Sequence, residues 1–311
     1  MKRLVSTIGV DKKEWLRYRK QGITGTDAGA IVGLNPYYSA AQVYQDKITG
    51  EVEEWDNEAM RQGRDLEEYV ARRFSEQTGL KVRKANAIYQ NEEHLFMLAD
   101  FDRLVVGQEA GLECKTVNAY SADKWSDGKV PIHYQMQVQH YLAVSGYQKW
   151  YVAALIMGRD FVIREINRDE ELIANLIIIE ERFWNNNVLA RVMPSPDGSK
   201  AYSDMLSQLY LCNSEKTIRL FGMEDQLKRR DEIDELIQKL ETEKAQIDQG
   251  IKLKMEDASY ADSEGHHISW VQSDQQRVDS KRLKEEEPEI FKRYAKRVTS
   301  RRFMVKAISA A

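Results

Sequence analysis

The chain has 311 residues, of which 42% are hydrophobic and 31% charged, and its 46 Lys plus Arg against 50 Asp plus Glu give a formal net charge of −4. That length exceeds one ordinary domain, so a catalytic core with an accessory region is expected. No apolar run approaches the roughly 18 residues of a membrane span, and the first residues carry no secretory-signal pattern. The two cysteines, Cys114 and Cys212, form neither a metal-ligand spacing nor a disulfide framework. These features predict a reduced cytoplasmic protein with no membrane attachment, and they leave room for a nucleic-acid enzyme whose basic groups line a groove.

In chain order, Lys12 to Lys20 reads as a helix, broken by the two glycines of the Gly22 to Asp27 segment, and a small apolar helix at Ala28 to Gly33 follows. Ala40 to Gly50 reads as another helix. Asp56 to Gly79 gives the clearest helical pattern, with Leu66, Tyr69, Val70 and Phe74 on one face, Gly79 after the last turn and Glu67 carried along it. From Lys81 to Cys114 the pattern shifts to short strands, ending at Leu104 to Val106 and Leu112 to Cys114 around a glycine-flanked loop. Asp102 and Glu113 are thereby expected on neighbouring strands. Ile132 to Ser145 reads as a helix, Tyr151 to Met157 and Asp160 to Ile166 as a hairpin, and Asp169 to Arg191 as one long helix.

Pro194, Pro196, Gly198 and Ser199 mark a boundary, dividing residues 1–199 from a mainly helical 200–311. Between Met223 and Met255 apolar residues recur at three- and four-residue steps among Glu and Lys, as in a helical hairpin arm, a short coiled coil, or a solvated helix packed on its own domain. A strand at Ile268 to Val271 and a helix near Glu287 to Arg297 follow. Arg297, Arg301, Arg302 and Lys306 make the tail basic.

Phosphodiester cleavage with hard cations needs clustered carboxylates, and Asp102 and Glu113 supply two. Lys115, two residues beyond Glu113, shares its face on a strand, where it can orient or help deprotonate a water and offset charge on a phosphate. Cys114 faces the other way, leaving its backbone carbonyl as a further ligand. Acidic-x-Lys recurs at Asp11, Asp127 and Asp279, where a surface salt bridge is the simpler reading. The Glu113 instance differs in lying in an apolar strand, after Asp102 and after a helix bearing Glu67.

Gly63-x-x-x-Glu67, Ala99-Asp100-Phe101-Asp102, Gly111-Leu112-Glu113-Cys114-Lys115 and Gln137-Val138-Gln139-His140-Tyr141 occur in this order. Together they resemble the YqaJ-type phage recombination exonucleases, relatives of lambda exonuclease in the PD-(D/E)xK nuclease superfamily. The likeness spans roughly residues 10 to 195, including Trp15 to Arg19 and Gly22 to Asp27. It implies an α/β fold with a PD-(D/E)xK restriction-endonuclease-like core, a mixed central sheet flanked by helices, and a helical C-terminal extension.

The resemblance further implies a Mg²⁺-dependent 5′-to-3′ exonuclease on linear double-stranded DNA, with one or two ions and Mn²⁺ as a substitute. Such an enzyme leaves 3′ overhangs for a single-strand annealing protein of the RecT or beta type, in a bacterial host cell and of phage or prophage origin. A homo-oligomer, with a ring as one form, is implied too. Asp102 matches the motif Asp, with Phe101 and Arg103 replacing the usual Pro and Gly, and Asp100 is its competitor. Glu67 completes the metal site, directly or through water, while Glu92 and Glu93 both approximate a further acidic position. Arg19, Thr24 and Thr26 match the region that contacts the 5′-terminal phosphate, although Thr26 or Asp27 could simply cap a helix. Gln137 and Tyr141 match the Gln-x-x-x-Tyr pair that supports substrate, and Trp125 is core or groove wall. An endonuclease of the same superfamily and an inactive DNA-binding scaffold remain as alternatives.

Overall fold

A computed structural model describes residues 1–50, 56–210, 217–296, 298 and 301–306; Cys212 and Arg297 lie outside them. The chain divides into two units, Met1–Tyr210 and Leu211–Ala311.

The first unit opens with strand β1 (Lys2–Ser6), an element the sequence pattern did not suggest. Helix α1 (Lys12–Arg19) is capped by Asp11, whose carboxylate accepts from the Glu14 N–H at 2.8 Å. Helix α2 (Gly25–Ile31) starts earlier than its apolar residues alone indicate, because Thr24 and Asp27 cap it reciprocally. Ser39 and Gln42 do the same for α3 (Ala40–Ile48). Asn57 starts α4 (Glu58–Thr78), and Gly79 ends it at φ 74°, a left-handed conformation that favours glycine.

Strands β2 (Val82–Lys84), β3 (Ala87–Gln90), β4 (Leu98–Asp100), β5 (Arg103–Val105) and β6 (Ala110–Val117) follow. A 3₁₀ segment at Ala119–Trp125 buries Trp125 at 1% exposure in the core. Helix α5 (Ile132–Ser145), strands β7 (Lys149–Ile156) and β8 (Asp160–Asn167), and helix α6 (Glu170–Phe183) complete the core, with α7 (Lys200–Leu209) packed on α3. The expected long helix after Asp169 is α6 continued by a π-helical turn at Trp184–Leu189.

Five strands form a mixed sheet in the order β2-β5-β6-β7-β8, with β6 and β7 parallel and joined through α5. Alternation along the strands separates two cores. Leu112, Cys114, Tyr151 and Ala153 pack with Val70, Ala71 and Phe74 of α4. Trp150, Val152 and Ala154 point the other way, onto Val138 and Leu142 of α5. The central mixed sheet flanked by helices is therefore present. A second sheet, β1-β3-β4, stands apart, so the strands between Lys81 and Cys114 are shared between two sheets.

Deep in this unit His140 of α5 sets Nδ1 2.9 Å from Glu180 of α6 and Nε2 2.9 Å from the Leu98 carbonyl. Burial opposes the imidazolium, but Glu180 and the Leu98 carbonyl outweigh it and raise the pKa of His140. A histidine whose folded pKa lies above its unfolded value stabilises fully below about pH 6.5 and loses that contribution as pH rises through the folded value. His140→Gln is expected to lower stability by about 3–5 kcal/mol, since it leaves the Glu180 charge buried and unpaired. Glu180→Gln in that background should recover part of it. Urea unfolding from pH 6 to 9 should show the wild type weakening towards alkaline pH and the double variant lacking that slope. A double variant with the wild-type slope would refute the assignment.

In the second unit the Met223 to Met255 pattern forms one continuous helix, α8 (Glu224–Met255), in place of a helical hairpin. No proline or glycine interrupts it before Gly250, and Leu236, Leu240 and Ile247 are exposed along it. Strands β9 (Tyr260–Ser263) and β10 (His266–Ser269) pair around Gly265, and Lys252 lies 5.7 Å from the Trp270 ring. Short helices α9 (Ser280–Glu286) and α10 (Pro288–Tyr294) close the description. Among the described residues no helix is long and apolar enough to cross a membrane.

Candidate active site

Strand β6 carries Glu113 and Lys115 on one face because side chains alternate, and their carboxylate and ammonium meet at 2.6 Å. Gln137 of α5 reaches the same point. Its amide nitrogen donates to Glu113 Oε1 at 2.8 Å and to the Tyr141 hydroxyl at 2.7 Å, while its oxygen accepts from Lys115 Nζ at 3.1 Å. Gly25 lets α2 approach this pair so closely that a Cβ there would overlap the Tyr141 ring. The Lys115 ammonium also lies 4.5 Å from the Tyr134 ring. Burial opposes the Lys115 charge, yet Glu113 outweighs it, so Lys115 stands as a persistent cation.

Asp102 is not on a strand. It occupies the link between β4 and β5, where Oδ2 accepts from the Cys114 N–H at 2.8 Å and so faces β6. Burial, then the neighbouring Glu113 and Glu67, push its pKa well up. Asp100 turns instead to Arg19 at 3.1 Å. Cys114 packs towards α4, as alternation requires, and burial holds its thiol protonated.

Glu67 lies beside this group but is engaged by Arg103, whose guanidinium also donates to Glu68 at 2.9 Å and to the Asp102 carbonyl at 2.8 Å. Arg103 is only 3% exposed. Its role was missed in the sequence, although an arginine inside an apolar strand signals a carboxylate partner.

Helices α1, α2 and α3 bring further groups to the cleft wall. Arg19 donates to Thr24 Oγ1 at 3.1 Å and Thr26 Oγ1 at 2.8 Å, and stacks 4.5 Å from the Trp15 ring. Asp27 accepts from the Thr24 N–H and hydroxyl, both at 2.8 Å, so the helix cap is Thr24 rather than Thr26. Lys47, with its side chain 2% exposed, pairs with Asp27 at 2.8 Å and donates to the Arg19 carbonyl at 3.0 Å. No sequence signal marked Lys47. Glu92 and Glu93 are exposed between β3 and β4 and do not line the cleft.

The cleft, about 1330 Å³, brings together Arg19, Thr26, Glu67, Asp102, Glu113, Cys114 and Lys115. Its lining cations, Lys12, Arg19, Lys47, Arg64 and Lys115, are matched by Asp27, Asp46, Glu67, Asp102 and Glu113. A groove wall with surplus positive charge is therefore not found among the described residues. Whether a divalent cation suits this balance is answered by one atom: Glu113 Oε2 is buried with no hydrogen-bond partner. Beside the crowded Asp102 carboxylate, that orphaned oxygen fits a hard cation. Among the described residues no three His, Cys, Asp or Glu side chains form a ready cage, and Glu67 is turned to Arg103.

Residues 14–148 match the family described as the YqaJ-like viral recombinase domain. Over 306 residues the chain is 38% identical to the uncharacterized protein YqaJ of Bacillus subtilis (strain 168), an alignment covering 96% of both chains. The chain belongs to the YqaJ family. Over 63% of its length the chain shares the fold of LHK-Exo, an alkaline exonuclease from Laribacter hongkongensis, with a TM-score of 0.51 at 21% identity and 100% of that chain covered. LHK-Exo in complex with dAMP gives the same TM-score at 22% identity. Within this YqaJ-family chain, the motif order along the sequence and the convergence on β6 coincide.

Proposed function

We propose that this YqaJ-family protein is a divalent-cation-dependent exonuclease that degrades the 5′-ended strand of linear double-stranded DNA in recombination. The observation that carries the reading is the Lys115–Glu113–Gln137 network beside Asp102, with an unpartnered Glu113 oxygen, on the wall of an open cleft. Family membership and the alkaline-exonuclease fold support it.

Asp102, Glu113 and the Cys114 carbonyl would hold Mg²⁺, with Mn²⁺ as a substitute and one or two ions, joined by Glu67 once it leaves Arg103. When bound, the ion would polarise the phosphodiester and lower the pKa of water. Lys115 donates to Glu113 and Gln137, which leaves one N–H for a phosphate oxygen. As a fixed cation there, it offsets the charge that builds up in the transition state. Gln137, anchored by Tyr141, keeps the Glu113 carboxylate aimed, while Arg19, Thr24 and Thr26 form the pocket for the 5′ end. Its partners are double-stranded DNA ends, further copies of itself in a homo-oligomer, and a single-strand annealing protein that takes the 3′ overhang.

The test is one incubation with Mg²⁺ of linear duplexes labelled separately at each 5′ and 3′ terminus, beside a closed circle. Early release of 5′ label with the circle intact is expected. Cleavage of the circle would replace this reading with an endonuclease, and no cleavage of any DNA would leave a binding scaffold.

A further inference from the structure

Arg19 is engaged within the protein through both terminal nitrogens. One terminal nitrogen donates to Asp100 at 3.1 Å and the other to Thr24 and Thr26, at 3.1 and 2.8 Å. Lys47, which donates to the Arg19 carbonyl, is held by Asp27 at 2.8 Å. Two cations and two carboxylates therefore neutralise each other at the proposed end pocket, with Asp100 on the adjoining surface it shares with Trp15, Glu67 and Asp102. A terminal phosphate carries up to two negative charges and needs surplus positive charge, or free donors, to replace its hydration. Here it meets an arginine already paired, with the competing carboxylate on the same guanidinium.

We infer that Asp100 is a specificity-determining residue that weakens the pocket's preference for a 5′-phosphate, so that the protein takes 5′-hydroxyl DNA ends as an alternative substrate class. Asp100 acts by taking one N–H of Arg19 Nη1, by neutralising the guanidinium, and by repelling a phosphate oxygen that approaches it. The Thr26 hydroxyl on the cleft wall serves either terminus, since it can donate or accept, while the buried Thr24 hydroxyl, donated to Asp27, holds Arg19 in place. This inference rests on reading the cleft as a DNA-end site.

The experiment compares otherwise identical duplexes carrying 5′-phosphate or 5′-hydroxyl, mixed in one reaction with the full chain and Mg²⁺. Ratios within one tube cancel any general loss of activity in a variant. The wild type should favour phosphate by less than about tenfold. Asp100→Asn should raise the phosphate-to-hydroxyl ratio about tenfold or more, because it removes a charge in direct contact with the site. Asp100→Ser should do the same, and adding Arg19→Gln to either should return the ratio towards one. Equilibrium binding of the same duplexes in Ca²⁺, read by fluorescence anisotropy, should show the same shift and covers variants that do not turn over. A ratio that stays constant or falls in both Asp100 variants overturns the inference. Failure of the wild type to degrade any linear duplex refutes the exonuclease reading instead, and the binding ratios still decide the role of Asp100.

Discussion

Lys115→Ala is expected to reduce Mg²⁺-dependent nucleotide release on the order of 10³-fold while duplex affinity stays within a few-fold, since the lost cation acts where transition-state charge develops. The same change removes the counter-charge of Glu113, which is 4% exposed, so the melting temperature should fall as well. The double variant Lys115→Ala/Glu113→Gln separates the two effects. Gln at 113 carries no charge and can still pair with Gln137, so thermal stability should recover while activity does not. Single-turnover release of labelled nucleotide, anisotropy with an uncleavable duplex and a thermal melt make the three measurements. Wild-type turnover by Lys115→Ala would remove Lys115 from the chemistry.

A second large effect is expected at Asp102. Its burial against Glu113 and Glu67 raises the folded pKa, so the folded chain holds that proton more tightly than the unfolded one. Stability must then decline as pH rises from about 3.9 through the raised value. Asp102→Asn removes this decline and keeps an acceptor for the Cys114 N–H. The metal-free variant should therefore melt above the wild type at neutral pH. Mg²⁺ should stabilise the wild type and not the variant, because only the wild type gains by binding it. Activity should fall roughly 10³-fold or more, matching several kcal/mol of lost charge stabilisation. Melts in EDTA and in Mg²⁺ across pH 5 to 8 decide this. An equal Mg²⁺ shift in both proteins would place the cation elsewhere.

Both expectations depend on carboxylates held in a poor environment for charge. Helices α2, α3 and α4 are capped by their own sequences and β6 and β7 alternate, as local rules require. Departures from that consistency gather around β6, where an unpartnered Glu113 oxygen and a crowded Asp102 occur together.

By itself the sequence determined the features that depend on local periodicity and capping. Two-residue alternation put Glu113 and Lys115 on one face of β6 with Cys114 on the other, and 3.6-residue spacing put Gln137 and Tyr141 on one face of α5. The motif order favoured Asp102 over Asp100, and the strand on which Asp102 was expected is a link between two sheets. What tertiary structure alone decided are contacts between charges far apart in the chain. Asp100 meets Arg19 across 81 positions, Arg103 meets Glu67 across 36, and Lys47 caps the Arg19 carbonyl across 28. No periodic pattern encodes such pairings, because a charged side chain shows its partner only when burial removes water as the alternative. Folding thus turned a list of matching residues into a cleft whose lining cations and carboxylates are equal in number, with one carboxylate oxygen of Glu113 buried and unpartnered.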